Sequence, residues 1–365
     1  MNGRGWQCAV IASGCIACSE AGATSTHLDA SDASSSPPFD AGAASVPLDI
    51  VELDDAGTKE LGASISINGG PPIRLMVDTG SIGIRVFASA VQGTNVTRTA
   101  NTAATQFGGG SSAETWTGVE AYGVVQIGTA KTPQPIAFQI VTSFACVGCT
   151  PSASNDCSEC IAPNFTDHGL YGNVGISLRN PNDFAPDDIY SPIAQLGHPL
   201  SDGFVVHTGG PASTQGELAF GTTGNDLAVF TQVALPAAQP ASLPNGLPAW
   251  QDTQVDLCFS VNGTPLNPPC SPSIFDTGLD RAIVYGQGVP AGAIENGALA
   301  AGALFEARND AGLDIQFTVE DPQASIDNVQ FYSGGMPFSM LGAPVFYRFD
   351  VAYDIAGGHI GVRPL

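Results

Sequence analysis

The sequence predicts an all-β protein of two similar lobes, and three observations carry that expectation. The 365 residues include 44 glycines and 27 prolines, a turn-rich composition with few long helix-period runs. Apolar and polar residues alternate with a period of two in Ala63-Ser64-Ile65-Ser66-Ile67, from Gly118 to Ile127, and in Asp314-Ile315-Gln316-Phe317-Thr318-Val319, as half-buried strands require. An Asp-Thr-Gly triplet also occurs once in each half, in Met76-Val77-Asp78-Thr79-Gly80-Ser81 and in Ile274-Phe275-Asp276-Thr277-Gly278, each entered from an apolar run. One such triplet is a common turn. Two of them, about half a chain apart, point to lobes that each donate one carboxylate to a shared site, and paired carboxylates are the minimum equipment for acid-base hydrolysis.

Residues 1–18 read as an export signal of lipoprotein type: Arg4, a short apolar run from Cys8 to Ala12, and Ala12-Ser13-Gly14-Cys15 where a lipobox would stand, with Cys18 as a second acceptor. The run is too short to span a bilayer, so any membrane attachment is expected through a lipid anchor. Residues 19–45 are Ala, Ser, Asp, Gly and Pro with almost no large apolar side chain, a flexible tether. The N-terminal lobe is expected over 46–200 with Asp78, and the C-terminal lobe over 201–365 with Asp276. Helix is expected only from Pro192 to Leu196 and from Gly292 to Leu304. The expected location is the cell surface or periplasm as a lipoprotein, or the extracellular space.

Charge excludes one class of partner. With 34 acidic against 11 basic residues the net charge is −23, and Lys59 and Lys131 are the only lysines. A phosphate backbone would be repelled, so nucleic acid is not a partner. His27, His168, His198, His207 and His359 show no metal-ligand spacing, and there is no Gly-x-Ser-x-Gly, so neither a metal, a cofactor nor a serine nucleophile is expected. Six cysteines lie beyond the leader. Cys146, Cys149, Cys157 and Cys160 form C-x2-C-x7-C-x2-C, whose insert is short for a zinc knuckle, so bridges are favoured over metal; their three connectivities stay open.

Further motifs stand in order around the triplets: Tyr171-Gly172-Asn173-Val174-Gly175-Ile176 after the first, Gly216-Glu217-Leu218-Ala219-Phe220-Gly221 between the halves, and Phe338 to Asp354 with His359-Ile360-Gly361-Val362 after the second. Together they resemble the pepsin-like aspartic peptidases, over roughly residues 46 to 365, and more closely their bacterial branch. Asp78-Thr79-Gly80-Ser81-Ile82-Gly83-Ile84-Arg85-Val86 is similar to a motif of uncharacterised bacterial proteins. The resemblance implies a bilobal acid-protease fold with a central cleft and a monomeric aspartic endopeptidase that takes an extended peptide or unfolded protein and prefers apolar side chains beside the cut.

It further implies that Asp78 and Asp276 share a proton and activate a water. Gly80 and Gly278 would let the loops approach, Thr79 and Thr277 would hydrogen-bond across the lobe interface, and Ser81 would donate to Asp78. A Cys258–Cys270 bridge is also implied, and a flap would be built on Phe107, Gly109 and Trp116, unless the two aromatics are plain hairpin packing. Three positions depart from the family: Leu279 replaces a hydroxyl residue, the flap approach has no tyrosine, and Arg85 stands where pepsins commonly have Trp. Arg85 either pairs with a carboxylate near the site or is solvated on the lobe surface, the latter preferred. The alternative to a peptidase is a pepsin fold of weak or absent activity that serves as a peptide-binding or inhibitory module.

Overall fold

Strands form where the alternating stretches bury one face, and nearly every one of them joins one of two large sheets. The computed structural model describes residues 44–54, 57–108, 113–146, 165–181, 188–222, 224–333 and 338–365. The leader, most of the tether, Gly109, Cys149, Cys157 and Cys160 lie outside the described residues. The first strand begins at Ala44, inside the stretch read as tether, because Ala44 and Ser45 pair with Phe220 and Ala219.

The first half contributes β1 (Ala44–Glu52), β2 (Lys59–Ile67), β3 (Ile73–Asp78), β4 (Ile82–Phe87), β5 (Thr97–Phe107), β6 (Glu114–Gly123), β7 (Val125–Ile127), β8 (Ala130–Lys131), β9 (Ile136–Cys146) and β10 (Gly172–Ile176). There follow β11 (Gly203–His207), β12 (Gln215–Phe220), β13 (Thr231–Ala234) and the hairpin of β14 (Ala237–Ser242) and β15 (Pro248–Trp250). The second half adds β16 (Val255–Val261), β17 (Thr264–Phe275), β18 (Ala282–Tyr285), β19 (Ile294–Glu295), β20 (Ala298–Leu299), β21 (Leu304–Arg308), β22 (Asp314–Thr318), β23 (Val329–Tyr332) and β24 (Ser339–Leu341). The chain ends with β25 (Phe349–Asp354) and β26 (His359–Pro364).

One sheet runs in the order β13-β26-β25-β11-β12-β1-β2-β3-β10-β4-β9-β6-β5, and the other in the order β19-β20-β23-β18-β24-β17-β16-β21-β22. The C-terminal strands thus return to β11, and β12 to β1, so the first sheet holds chain from both halves. Within each half the same pattern recurs. β10 lies parallel to β3 and antiparallel to β4, and β24 lies parallel to β17 and antiparallel to β18. The registers match: Asn173 faces Met76, two residues before Asp78, and Met340 faces Ile274, two residues before Asp276. The two-lobed all-β architecture therefore rests on a repeated three-strand unit whose first strand runs into each aspartate.

Helix is confined to short pieces. Ile193–Gln195 is a single 3-10 turn inside the segment expected to be helical. Gly292–Leu304 is not a helix: β19 and β20 form a hairpin about Asn296 and Gly297, both of positive φ at 50° and 86°. An Asn-Gly pair accommodates that turn at little cost, which outweighs the alanine-rich helix propensity around it.

Cys258 and Cys270 face each other on β16 and β17 and are disulfide-bonded. The bridge closes a loop of 12 residues' separation. We expect Cys258→Ser/Cys270→Ser to lower unfolding free energy by about 3 kcal/mol, the loop-closure contribution for such a length, as measured by denaturant titration.

Candidate active site

β3 and β17 each deliver an aspartate from a buried strand end into a tight loop, and the loops are tied to one another by their threonines. Thr79 N–H donates to Thr277 Oγ1 at 3.0 Å, and Thr277 N–H donates to Thr79 Oγ1 at 2.9 Å. Each hydroxyl passes its own proton across: Thr79 Oγ1 to Phe275 O at 2.8 Å, and Thr277 Oγ1 to Val77 O at 2.7 Å. All four bonds are buried, so each satisfies groups that would be costly to leave unpaired. Tyr353, fully buried and stacked on Phe204, adds a third donor by bonding Phe275 O at 3.1 Å.

This tie sets the carboxyls face to face. A Cβ at Gly278 would lie 2.9 Å from Asp78 Cγ, and one at Gly80 would overlap the Asp276 carboxyl. Only glycine leaves room for the approach. The two carboxyls are in hydrogen-bonding reach of one another, and burial, followed by the charge of Asp78, pushes the Asp276 pKa up to about 8. Like charges this close cannot both ionise cheaply, so the pair holds a proton near neutrality.

Their support is unequal. Asp78 Oδ1 accepts from Gly80 N–H at 2.8 Å and Oδ2 from Asn173 Nδ2 at 2.6 Å. Ser81 does not take the role expected of it: its Oγ accepts from the same Asn173 amide at 2.9 Å, so it meets Asp78 through Asn173. Asp276 Oδ1 accepts from Gly278 N–H at 2.9 Å. Leu279 and Met340 stand where the first half has Ser81 and Asn173, and neither carries a donor.

The matching family model covers residues 44–243, more than half of the chain, and describes a PE-PGRS C-terminal aspartyl peptidase-like domain. The chain belongs to that family. The match includes Asp78 but ends before Asp276. Among solved structures, the aspartic proteinase from Irpex lacteus is similar, with a TM-score of 0.58 and 14% identity over 88% of this chain and 97% of that one. At that identity the likeness speaks for the fold. No curated protein matches.

In this aspartyl peptidase-like domain β5 and β6 form the expected hairpin, with Thr105 opposite Trp116 and Phe107 opposite Glu114. Trp116 is 1% exposed, packed among Phe87, Phe107 and Phe165, and its indole N–H donates to Glu114 Oε1 at 2.7 Å. It is hairpin packing. Phe107, half-buried, covers Trp116 at 4.6 Å between ring centres. Arg85 is neither solvated nor ion-paired in the manner expected, because every residue of β4 is buried. Its guanidinium donates to Ile82 O at 2.6 Å, Gly83 O at 3.1 Å and Thr105 Oγ1 at 2.8 Å, beneath the Phe107 ring. Burial lowers its pKa to about 10, and the charge of Asp78 opposes that shift.

Sequence reasoning passed over Asn173, Tyr353, Arg179, Asp252 and Glu60. Asn173 was legible in principle as a polar residue in an otherwise apolar strand. Glu60 is a third buried carboxyl, held well above its usual pKa by burial and by the charges of Asp280, Asp78 and Asp276. Among the described residues no group of His, Cys, Asp and Glu is arranged to hold a metal, and no helix is long and apolar enough to cross a membrane.

Two outcomes follow from this geometry. Thr277→Val keeps the shape but strands Thr79 N–H and Val77 O, and we expect a loss of about 2 kcal/mol or more in urea unfolding. Asp276 binds its proton more tightly folded than unfolded, so its contribution is complete near its unfolded value of 3.8 and is lost as pH rises towards about 8. Thermal unfolding midpoints of the wild type should therefore fall over that window. Asp276→Asn, a mimic of the protonated acid, should flatten the fall by about 2 °C or more, with Glu60 and Asp252, shifted in the same direction, retaining part of the slope.

Proposed function

We propose that the protein is an aspartic endopeptidase in which Asp78 and Asp276 are the catalytic pair. The observation that carries this reading is the pair of carboxyls in hydrogen-bonding reach, with the pKa of one raised to about 8 by burial and by the other. Asp276 holds the shared proton, and Asp78, already the acceptor for two donors, takes the base role. Asp78 removes a proton from a water lying between the carboxyls, and the water oxygen attacks the scissile carbonyl carbon. The Asp276 proton stabilises the developing oxyanion, and the proton that Asp78 took from the water passes to the leaving nitrogen as the C–N bond breaks, with the oxyanion's proton returning to the pair. Thr79, Thr277, Gly80 and Gly278 keep the carboxyls at working distance, while Asn173 and Ser81 orient Asp78. An extended peptide or unfolded protein would lie between the dyad and the β5–β6 hairpin, Phe107 serving where related enzymes use a tyrosine.

We further propose an exported monomer, lipid-anchored or free. The Cys258–Cys270 bridge supports export, since such bridges persist in oxidising compartments. The test is incubation with a reduced, unfolded protein substrate from acidic pH to pH 9. We expect cleavage that a statine-type inhibitor blocks, that falls as pH rises through about 8, and that Asp78→Ala or Asp276→Ala lowers by about 10³-fold or more. Cleavage surviving both substitutions would overturn the dyad assignment. A well-folded wild type silent at every pH would leave the peptide-binding module.

A further inference from the structure

The repeated three-strand unit supports Asp78 with Asn173, itself bonded to Ser81, and the register counterparts of these two beside Asp276 are Met340 and Leu279. What replaces them comes from the other half of the chain. Arg179 follows β10, and its Nη2 donates to the carbonyl oxygen of Gly80. Gly80 is the residue whose α-carbon rests against the Asp276 carboxyl, with no space for a methyl between them. The cation is therefore fixed to the wall on which Asp276 leans.

Arg179 is itself held. Its Nε lies 3.0 Å from Asp252 Oδ1 and donates to Ser177 Oγ at 3.0 Å. Asp252 is 1% exposed and is locked in turn by Ser177 Oγ at 2.7 Å and Leu178 N–H at 2.8 Å. A buried carboxylate with two fixed donors is an expensive anchor to build without a cation to hold.

We propose that Arg179, anchored by Asp252, is the positioning residue for Asp276, supplying from across the dyad the support that Leu279 and Met340 do not give. It rests on the peptidase reading only in calling the pair catalytic. The charge of Arg179 opposes the upward push on Asp276, against Asp78, which raises it. The other ionisable groups within electrostatic reach of Asp276 are Glu60 and Tyr353, with Asp280 acting on Glu60. Among the described residues, Arg179 is the cation that acts on Asp276.

The experiment uses the full chain with ¹³C-carboxyl-labelled aspartate, its Asp276 signal assigned by loss in Asp276→Asn. In Arg179→Met the Asp276 titration midpoint should rise by about one pH unit, the low end for removing a nearby opposite charge. The alkaline limb of the peptide-cleavage profile should move up with it. Leu279→Thr on the Arg179→Met background should bring both back down, a rescue that a merely structural arginine would not permit. Asp252→Asn, which frees Arg179 without removing it, should give an intermediate midpoint. A folded Arg179→Met protein with an unmoved Asp276 midpoint overturns the proposal. If Arg179→Met does not fold, Arg179→Lys reports instead: the point charge stays while the fork to Gly80 and Asp252 is lost, and an unmoved midpoint with an unchanged alkaline limb overturns it as well. The titration does not need turnover, so an inactive wild type would sink the peptidase reading and leave this one standing or falling by its own result.

Discussion

Two threonine hydroxyls, each accepting from the opposite loop and donating to the opposite strand, hold the halves of this molecule in contact at the one place where distance is critical. Everything nearby is built to that constraint. The glycines after each threonine leave room for the facing carboxyl, Tyr353 reaches in from β25 to share the carbonyl that Thr79 uses, and β3 and the end of β17 from Ser273 to Phe275 are buried so that neither loop can drift. A hydroxyl both accepts and donates along a short arm, which is why a residue as small as threonine can close such a crossed set.

Around that tie the protein tolerates charges it would ordinarily avoid. Glu60 lies behind the dyad among three other carboxyls, and Arg85 is sealed beneath the hairpin. Arg85 is satisfied by backbone oxygens and a threonine, and the network continues from Thr105 to Gln139 and on to Ala103 O and Trp116 O, so one guanidinium fastens β4 to both arms of the hairpin. Burying a cation this way is tolerable because Nε and Nη1 find acceptors in Thr105 Oγ1, Ile82 O and Gly83 O. An arginine in β4 thus fixes the hairpin to the strand that leaves the first aspartate.

The duplicated Asp-Thr-Gly and the period-two stretches made the two-lobed all-β fold legible, because both are local properties of the chain. The Cys258–Cys270 bridge was implied only through family likeness. What sequence could not reveal depends on register. Asn173 becomes a partner of Asp78 only once β10 is laid parallel to β3, and Arg179 reaches Gly80 only through an anchor, Asp252, more than seventy residues further on. Arg85 was misjudged for the same reason: a charged residue in an apolar strand is read as surface until the strand proves central, with neighbours on both sides. The hairpin at Asn296 and Gly297 is the opposite case, a local turn signal that was present and outweighed by the alanines around it.

A proton shared between two identical sites has no preferred home, and the chemistry would have to choose one at every turnover. Here the choice is written into the strand register. One aspartate is met by an amide that a hydroxyl holds in turn, and its twin has methionine and leucine at the matching positions, so the fold repeats its backbone while refusing to repeat its side chains. Symmetry builds the cradle, and its deliberate breach gives the proton an address.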